Sequence, residues 1–124
     1  MAVSLYSVAI FVRNLDRAVE FYQDTLGLVL GAKGSFGAEF EAQGIRIGVH
    51  PANHEAAQAM VGRETGLTFQ VDGLLHVCGD LHAKGVTFRQ EPTRMSFGIM
   101  AMIEDPDGNV MALWQPPEEE SKDP

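Results

Sequence analysis

Apolar residues follow two periods along this chain, and the two periods occur in the same order in each half. Residues 8–12 are all apolar and carry β-branched side chains at every second position, Val8, Ile10 and Val12, which is typical of a strand. Residues 15–26 then carry apolar side chains at helical spacing, and Gly27 ends the pattern. The same succession returns as an alternating segment over 67–71, followed by a helical segment that starts at Leu74. The pattern therefore predicts a diverged internal duplication.

Each half is predicted to contain a strand, a helix and three further short strands, which gives an α+β fold of two βαβββ repeats in a curved mixed sheet. Asn14 or Asp16 is expected to cap the first helix, and Gly85 to end the second. The predicted strands are 3–12, 28–33, 36–42 and 44–50 in the first half and 66–72, 86–91, 97–104 and 109–115 in the second, with helices over 15–26 and 73–84.

One domain is expected over residues 1–116. Its first repeat covers about 3–50, a linker with an Ala-rich, helix-prone patch covers 51–63, and the second repeat covers 64–116. Residues 117–124 are rich in Glu and Pro and are predicted to be an acidic, disordered tail.

A turn signal stands between the last two predicted strands. Asp105-Pro106-Asp107-Gly108-Asn109 separates the apolar runs 99–103 and 110–114. Pro fixes φ, Asp can close a turn with its side chain, and Gly tolerates a positive φ. The segment therefore predicts a tight hairpin.

The strands have one strongly apolar face, which is expected to carry the helices. The opposite face mixes small, polar and aromatic side chains, and a curved sheet that presents such a face forms a cup suited to a small molecule. The phase of the strand over 97–104 is ambiguous; Met100, Met102 and Glu104 are assigned to the cup side. The proposed ligand-binding side chains of the cup are Ser7, Phe11, Arg46, His50, Thr68, Gln70, Met102 and Trp114.

Charge and composition exclude several partner classes. The chain of 124 residues has a formal net charge of −8, which disfavours a nucleic-acid phosphate backbone as partner. No apolar run reaches the roughly 20 residues needed to cross a membrane, and no secretory signal is apparent. The single cysteine, Cys78, cannot form an internal disulfide. We therefore expect a cytoplasmic protein without a nucleic-acid or membrane partner.

The repeat, the capped helix near Asn14 and the late hairpin at 105–109 together resemble the vicinal oxygen chelate superfamily. That superfamily includes glyoxalase I, extradiol dioxygenases and bleomycin-resistance proteins, and the resemblance covers about residues 3–116. It implies the glyoxalase/bleomycin-resistance fold. In the metalloenzymes of the family, a divalent cation sits in the cup and polarises vicinal oxygens of the substrate.

The family's metal ligands are His or Glu side chains on four strands. By resemblance these positions fall on Ser7, Gly48, Gly66 and Ala112, of which only Ser7 has a side-chain donor atom, and a weak one. His50 and Glu64 each lie two residues from a vacant position and are weak substitutes. No metal or other cofactor is therefore expected, with a divalent metal as the alternative.

The resemblance is closest to the metal-free, bleomycin-resistance-like members, which bind a bulky drug in a cavity at a dimer interface. It implies a homodimeric small-molecule binder connected with antibiotic resistance rather than an enzyme. The main alternative is a metal-dependent lyase, isomerase or dioxygenase with relocated ligands. No nucleophile motif is present, Glu104 remains a possible general base, and the catalytic residues of such an enzyme stay unknown. A third alternative is a structural module whose cup is filled by Met100 and Met102.

Overall fold

The computed structural model describes residues 2–118, which form two compact units. The first unit comprises the described residues up to Arg63 together with Asp105–Asn109, and the second comprises Glu64–Glu104 and the described residues from Val110 onward. The strands are β1 Val8–Val12, β2 Val29–Gly34, β3 Gly37–Ala42, β4 Ile45–Pro51, β5 Glu64–Gln70, β6 Phe88–Met95, β7 Gly98–Glu104 and β8 Val110–Gln115. The helices are α1 Leu15–Glu20, continued by a π-helix over Phe21–Thr25, α2 Glu55–Gln58 and α3 Leu74–Ala83.

The two sheets have the same topology, which confirms the predicted α+β duplication. In the first unit the strand order is β1-β4-β3-β2, and in the second it is β5-β8-β7-β6. In each sheet one parallel pair, β1 with β4 or β5 with β8, is followed by two antiparallel pairs. Both sheets are therefore mixed, and in each the chain passes through a helix and two further strands between the members of the parallel pair.

The first helix packs its apolar side on the sheet of the first unit. The side chain of Asn14 accepts a hydrogen bond from Arg17 N at 3.0 Å, so Asn14 rather than Asp16 is the cap. The helix widens into the π-helix, whose last bond joins Leu26 N to Phe21 O at 2.9 Å. This turn buries the adjacent Phe21 and Tyr22, and the Tyr22 ring lies 5.8 Å from that of Phe40.

The second unit is built around α3. Its buried side chains are Leu74, Cys78 and Leu81, the stripe that the helical period predicts. Burial raises the pKa of the Cys78 thiol, and the charge of Glu91 adds to this effect, so the thiol is the favoured form.

The predicted start of the first strand is wrong. The strand begins at Val8 rather than at residue 3, because Ala2–Ser7 have no sheet partner among the described residues. The Ala-rich linker contains the short helix α2. No helix within residues 2–118 is long and apolar enough to cross a membrane. The predicted tail falls mostly on residues 119–124, outside the described residues.

Candidate functional site

The Asp105–Asn109 loop connects β7 and β8 as the predicted hairpin, and Asp105 is its hydrogen-bonding centre. One carboxylate oxygen of Asp105 accepts bonds from the backbone N–H groups of Asp107 and Asn109, both at 2.9 Å. The other accepts from the Tyr22 hydroxyl at 2.7 Å and from the Asn109 side-chain amide at 2.9 Å. Because Asp105 is only 4% exposed, this carboxylate is committed to folding.

Asn109 and Asp107 extend this network through the first unit. The Asn109 amide donates to Phe11 O at 3.0 Å and accepts from Gly62 N at 2.9 Å. Asp107 forms an ion pair with Arg17 at 3.4 Å. Burial, followed by the charge of Asp105, raises the pKa of Tyr22 well above its ordinary value, so the phenol stays protonated. The conspicuous loop motif is therefore a structural clasp.

A different surface of the first unit carries the predicted binding residues. We use "first open face" for the side of its sheet formed by Ala9, Phe11, Glu39, Glu41, Arg46, Gly48 and His50, opposite the helix. Phe11 and His50 are register partners on neighbouring strands, and their ring centroids lie 6.0 Å apart. Ser7 lies immediately before β1 and is half-buried.

Arg46 of the first open face is held by three neighbours. Its Nε lies 3.4 Å from a Glu39 oxygen and 3.7 Å from a Glu41 oxygen. The guanidinium carbon also sits 4.5 Å from the ring centre of Tyr6, a cation–π contact that sequence reasoning missed. Tyr6 also donates a hydrogen bond to Glu39 at 3.2 Å, so the groups around Arg46 are joined to one another as well as to its guanidinium.

His50 is positioned by the backbone of a hairpin turn. Its Nδ1 lies 2.8 Å from the carbonyl oxygen of Phe36, in the turn between β2 and β3. The ring folds over Gly48, where an added Cβ would lie 2.6 Å from His50 Nε2. The absence of a side chain at Gly48 is therefore a requirement for the His50 ring position.

The sheet of the second unit brings together the other four predicted residues. We use "second open face" for Thr68, Gln70, Gln90, Met100, Met102, Glu104, Ala112 and Trp114, which share one side through direct pairing. Met100 pairs with Trp114 and Met102 with Ala112, which confirms the assigned phase of this strand. A recess of about 170 Å³ lies on this face between Thr68 and the two methionines.

Gln90 of the second open face was missed because the phase of β6 is hidden by two irregularities in its pairing. It is opposite Met102, and its side-chain nitrogen is buried without a hydrogen-bond partner among the described residues. The neighbouring Arg89 donates a hydrogen bond from its Nε to a carboxylate oxygen of Glu104 at 2.8 Å, so the side chain considered as a general base is already paired.

Trp114 is anchored in the same way as His50. Its Nε1 donates to the carbonyl oxygen of Phe97 at 2.8 Å, in the turn between β6 and β7. Both turns have the sequence Ser-Phe-Gly, at 35–37 and at 96–98, a repeat that could have been noticed in the sequence. Gly37 and Gly98 have φ of 128° and 127°, and a side chain at either position would collide with a carbonyl of the next strand.

A second recess of the second unit, of about 470 Å³, lies near the start of α3 and is lined by none of the predicted binding residues. Its wall includes Leu75, His76, Arg94, Met95 and Gln115. The side-chain oxygen of Gln115 accepts a hydrogen bond from Leu74 N at 2.8 Å. This oxygen therefore already satisfies a backbone N–H at the start of α3.

Three of the four positions that the resemblance assigns to metal ligands do not fit a metal, and the fourth, Ser7, has only a weak hydroxyl donor. Gly48 is covered by the His50 ring, and Ala112 has no donor atom. Gly66 has a φ of +77° at an irregular pairing in β5, a conformation that a His or Glu side chain adopts only with strain. Within residues 2–118, no three His, Cys, Asp or Glu side chains are placed to hold a metal ion. That the protein works without a cofactor remains a prediction.

Comparison with known proteins supports these structural relationships. The chain is 28% identical over 120 residues to YurT, an uncharacterized protein of Bacillus subtilis (strain 168), with 86% of this chain and 94% of YurT covered. It is 29% identical to TnmS3, an antibiotic binding protein from Streptomyces sp. CB03234, with a TM-score of 0.71 and coverage of 94% and 99%.

A superfamily member from Sphaerobacter thermophilus DSM 20745 is 23% identical and shares the fold, with a TM-score of 0.78 over 91% of this chain and 97% of that one. The family model of the Glyoxalase/Bleomycin resistance protein/Dioxygenase superfamily matches residues 4–113. With the duplicated βαβββ topology and the late hairpin, this match shows that the chain belongs to that superfamily.

Proposed function

We propose that this protein binds a small organic molecule against its open sheet faces and does so without the metal ligands usual in its family. The observation that carries the proposal is the chemistry of the first open face. Phe11 and His50 offer ring surfaces there. Gly48, which the resemblance assigns to a metal-ligand position, has no side chain, and the His50 ring lies over it. These ring surfaces suit an aromatic molecule.

The second open face supports the same proposal. The Trp114 ring is fixed by its bond to Phe97 O, and Met100 and Met102 border the recess beside Thr68. Fixed rings lose little conformational entropy on binding, and methionines adapt to the shape of a ligand. The similarity to an antibiotic binding protein is consistent with an antibiotic as the ligand.

The proposal includes a cytoplasmic homodimer. Several apolar side chains of the first unit are exposed, which a second copy of the chain would cover; Val3 is 78% and Leu5 81% exposed. Native mass spectrometry of protein purified without chelator or metal-binding tag reports the subunit number, any bound metal and any retained organic molecule. One metal ion per subunit would instead favour the enzyme alternative, with His50 and Glu64 as the first candidate ligands to replace.

Calorimetric titration with β-naphthol, a neutral planar aromatic, tests the binding face. Phe11→Ala is expected to weaken binding at the first open face about tenfold, and Trp114→Ala to weaken binding at the second open face by a similar factor, because each removes a ring surface. Ile45→Ala and Leu75→Ala are matched controls, since these apolar side chains are 53% and 59% exposed and lie off both open faces. Wild-type affinity in both ring variants, or equal losses in the controls, would refute the proposed site.

A further inference from the structure

The hydrogen bond of His50 determines which of its ring nitrogens carries a proton. The partner of Nδ1 is the carbonyl oxygen of Phe36, at 2.8 Å, and a carbonyl can only accept. Nδ1 must therefore hold the proton. In the neutral ring, Nε2 then has no proton and presents a lone pair.

The lone pair of Nε2 has no partner within the described part of the chain. No hydrogen bond to Nε2 is formed in residues 2–118. Nε2 lies over Gly48, but it is not among the buried unpaired atoms of these residues, so part of its surface stays accessible. Arg46, the cationic residue of this face, is turned toward Glu39, Glu41 and Tyr6. The ring of Phe11 provides an apolar neighbour at 6.0 Å.

The equivalent ring of the second unit offers nothing similar. Trp114 has a single ring N–H, which its bond to Phe97 O uses. The same backbone anchor thus leaves an acceptor free at His50 and no polar atom free at Trp114. This difference gives the first open face a polar preference of its own.

We propose that His50 Nε2 accepts a hydrogen bond from a hydroxyl of the bound molecule, so that the first open face selects hydroxylated aromatic compounds over their ethers. The inference rests on the proposed binding function and names the chemical class of its ligand. His50 is then a specificity-determining residue, and Phe36 acts through its carbonyl as a positioning residue.

The free protein tests the proton position without any ligand. Nitrogen NMR of the imidazole rings distinguishes a nitrogen that carries a proton from one that does not. The expected result for neutral His50 is a protonated Nδ1 and an unprotonated Nε2. The opposite tautomer would overturn the inference, whatever the protein binds.

Titrations with β-naphthol and its methyl ether test the selection. The wild type is expected to bind the naphthol about fivefold more tightly, the effect of one ordinary hydrogen bond. His50→Asn keeps a donor near the Nδ1 position but has no acceptor at the Nε2 position, and should bind both compounds equally. His50→Gln places a side-chain oxygen near the Nε2 position and should restore part of the preference.

The outcomes separate this inference from the proposed function. Equal binding of the two compounds by the wild type, or a full preference in His50→Asn, would refute the role of His50 and leave the binding function standing. Failure of both compounds to bind would refute the proposed function and with it the ligand class.

Discussion

Asp105 and Asn109 of the loop and His50 of the first open face all belong to the first unit, yet their polar atoms are used in opposite ways. In the loop, both oxygens of Asp105 and both polar atoms of the Asn109 side chain are bonded inside the protein. On the open face, one ring nitrogen of His50 has no hydrogen-bond partner among residues 2–118. Satisfied polar groups stabilise a fold, whereas a free and fixed polar group is available to a ligand. The most conspicuous motif of the sequence is thus the less promising place for function.

Asp105→Ala, in the loop, is expected to have the largest effect on the stability of the protein. The substitution leaves four donors without their acceptor in a buried site, and we expect a loss of roughly 3–5 kcal/mol in the free energy of unfolding. Urea denaturation followed by circular dichroism measures it. Asp24→Ala, at an exposed position of the π-helix, is the control and should stay within about 0.5 kcal/mol of the wild type. A small effect of Asp105→Ala would mean that the loop is not a clasp.

Tyr22→Phe sharpens the comparison by removing one bond of the clasp. We expect a loss of about 1–3 kcal/mol, because the buried Asp105 oxygen loses a donor. The phenol also makes stability depend on pH. Its pKa is raised by folding, so above pH ~10 the unfolded chain releases this proton while the folded chain retains it.

Stability of the wild type should therefore be constant with respect to this group below pH ~10 and fall by up to about 1.4 kcal/mol per pH unit above it. Tyr22→Phe should remove this part of the alkaline loss. Urea denaturation of both proteins between neutral and alkaline pH measures the difference. Parallel curves for the two proteins would contradict the assignment of the titration to Tyr22.

Gly48→Ala has the smallest expected effect on stability and acts on the open face. The new methyl group would meet His50 Nε2 at 2.6 Å, so the ring must turn away from the Phe36 carbonyl. We expect a loss of about 1 kcal/mol in stability and disappearance of the preference for β-naphthol. Gly79→Ala is the control, since it lies in α3 with nothing within 4 Å and should gain about 0.5–1 kcal/mol. An unchanged preference in Gly48→Ala would show that the ring position does not matter.

The fold could be predicted from local signals, because periodicity, a capping side chain and turn residues each act over a few positions. The duplication, the Asn14 cap and the hairpin at 105–109 follow from such signals, and pairing confirms the phase of Met100 and Met102. The start of β1 was misplaced because alternation is present before Val8 but a pairing partner is absent.

The candidate site was predicted less completely, since its details depend on contacts between distant residues. The sequence predicts His50 as a site residue but not its hydrogen bond to the carbonyl oxygen of Phe36, because Phe36 lies in the turn between β2 and β3. Arg46 was named without Tyr6 and Glu39, although these partners decide whether its charge is free. The sequence shows that Gly48 and Gly66 have no ligand side chain. Only the structure shows that Gly48 lies under the His50 ring and that Gly66 has a positive φ.

The placement of the Asp105–Asn109 loop in the first unit has a consequence for synthesis of the chain. Tyr22, Phe11 and Gly62 are made early, but their partners Asp105 and Asn109 are made only after most of the second repeat. When only the first repeat has emerged from the ribosome, the side chains of Asp105 and Asn109, which complete its buried hydrogen-bond network, have not yet been synthesised. Contacts across such long stretches of sequence form late and slow folding. The first repeat must therefore wait for nearly the whole chain to emerge, and a truncation before Asn109 would leave it without its clasp.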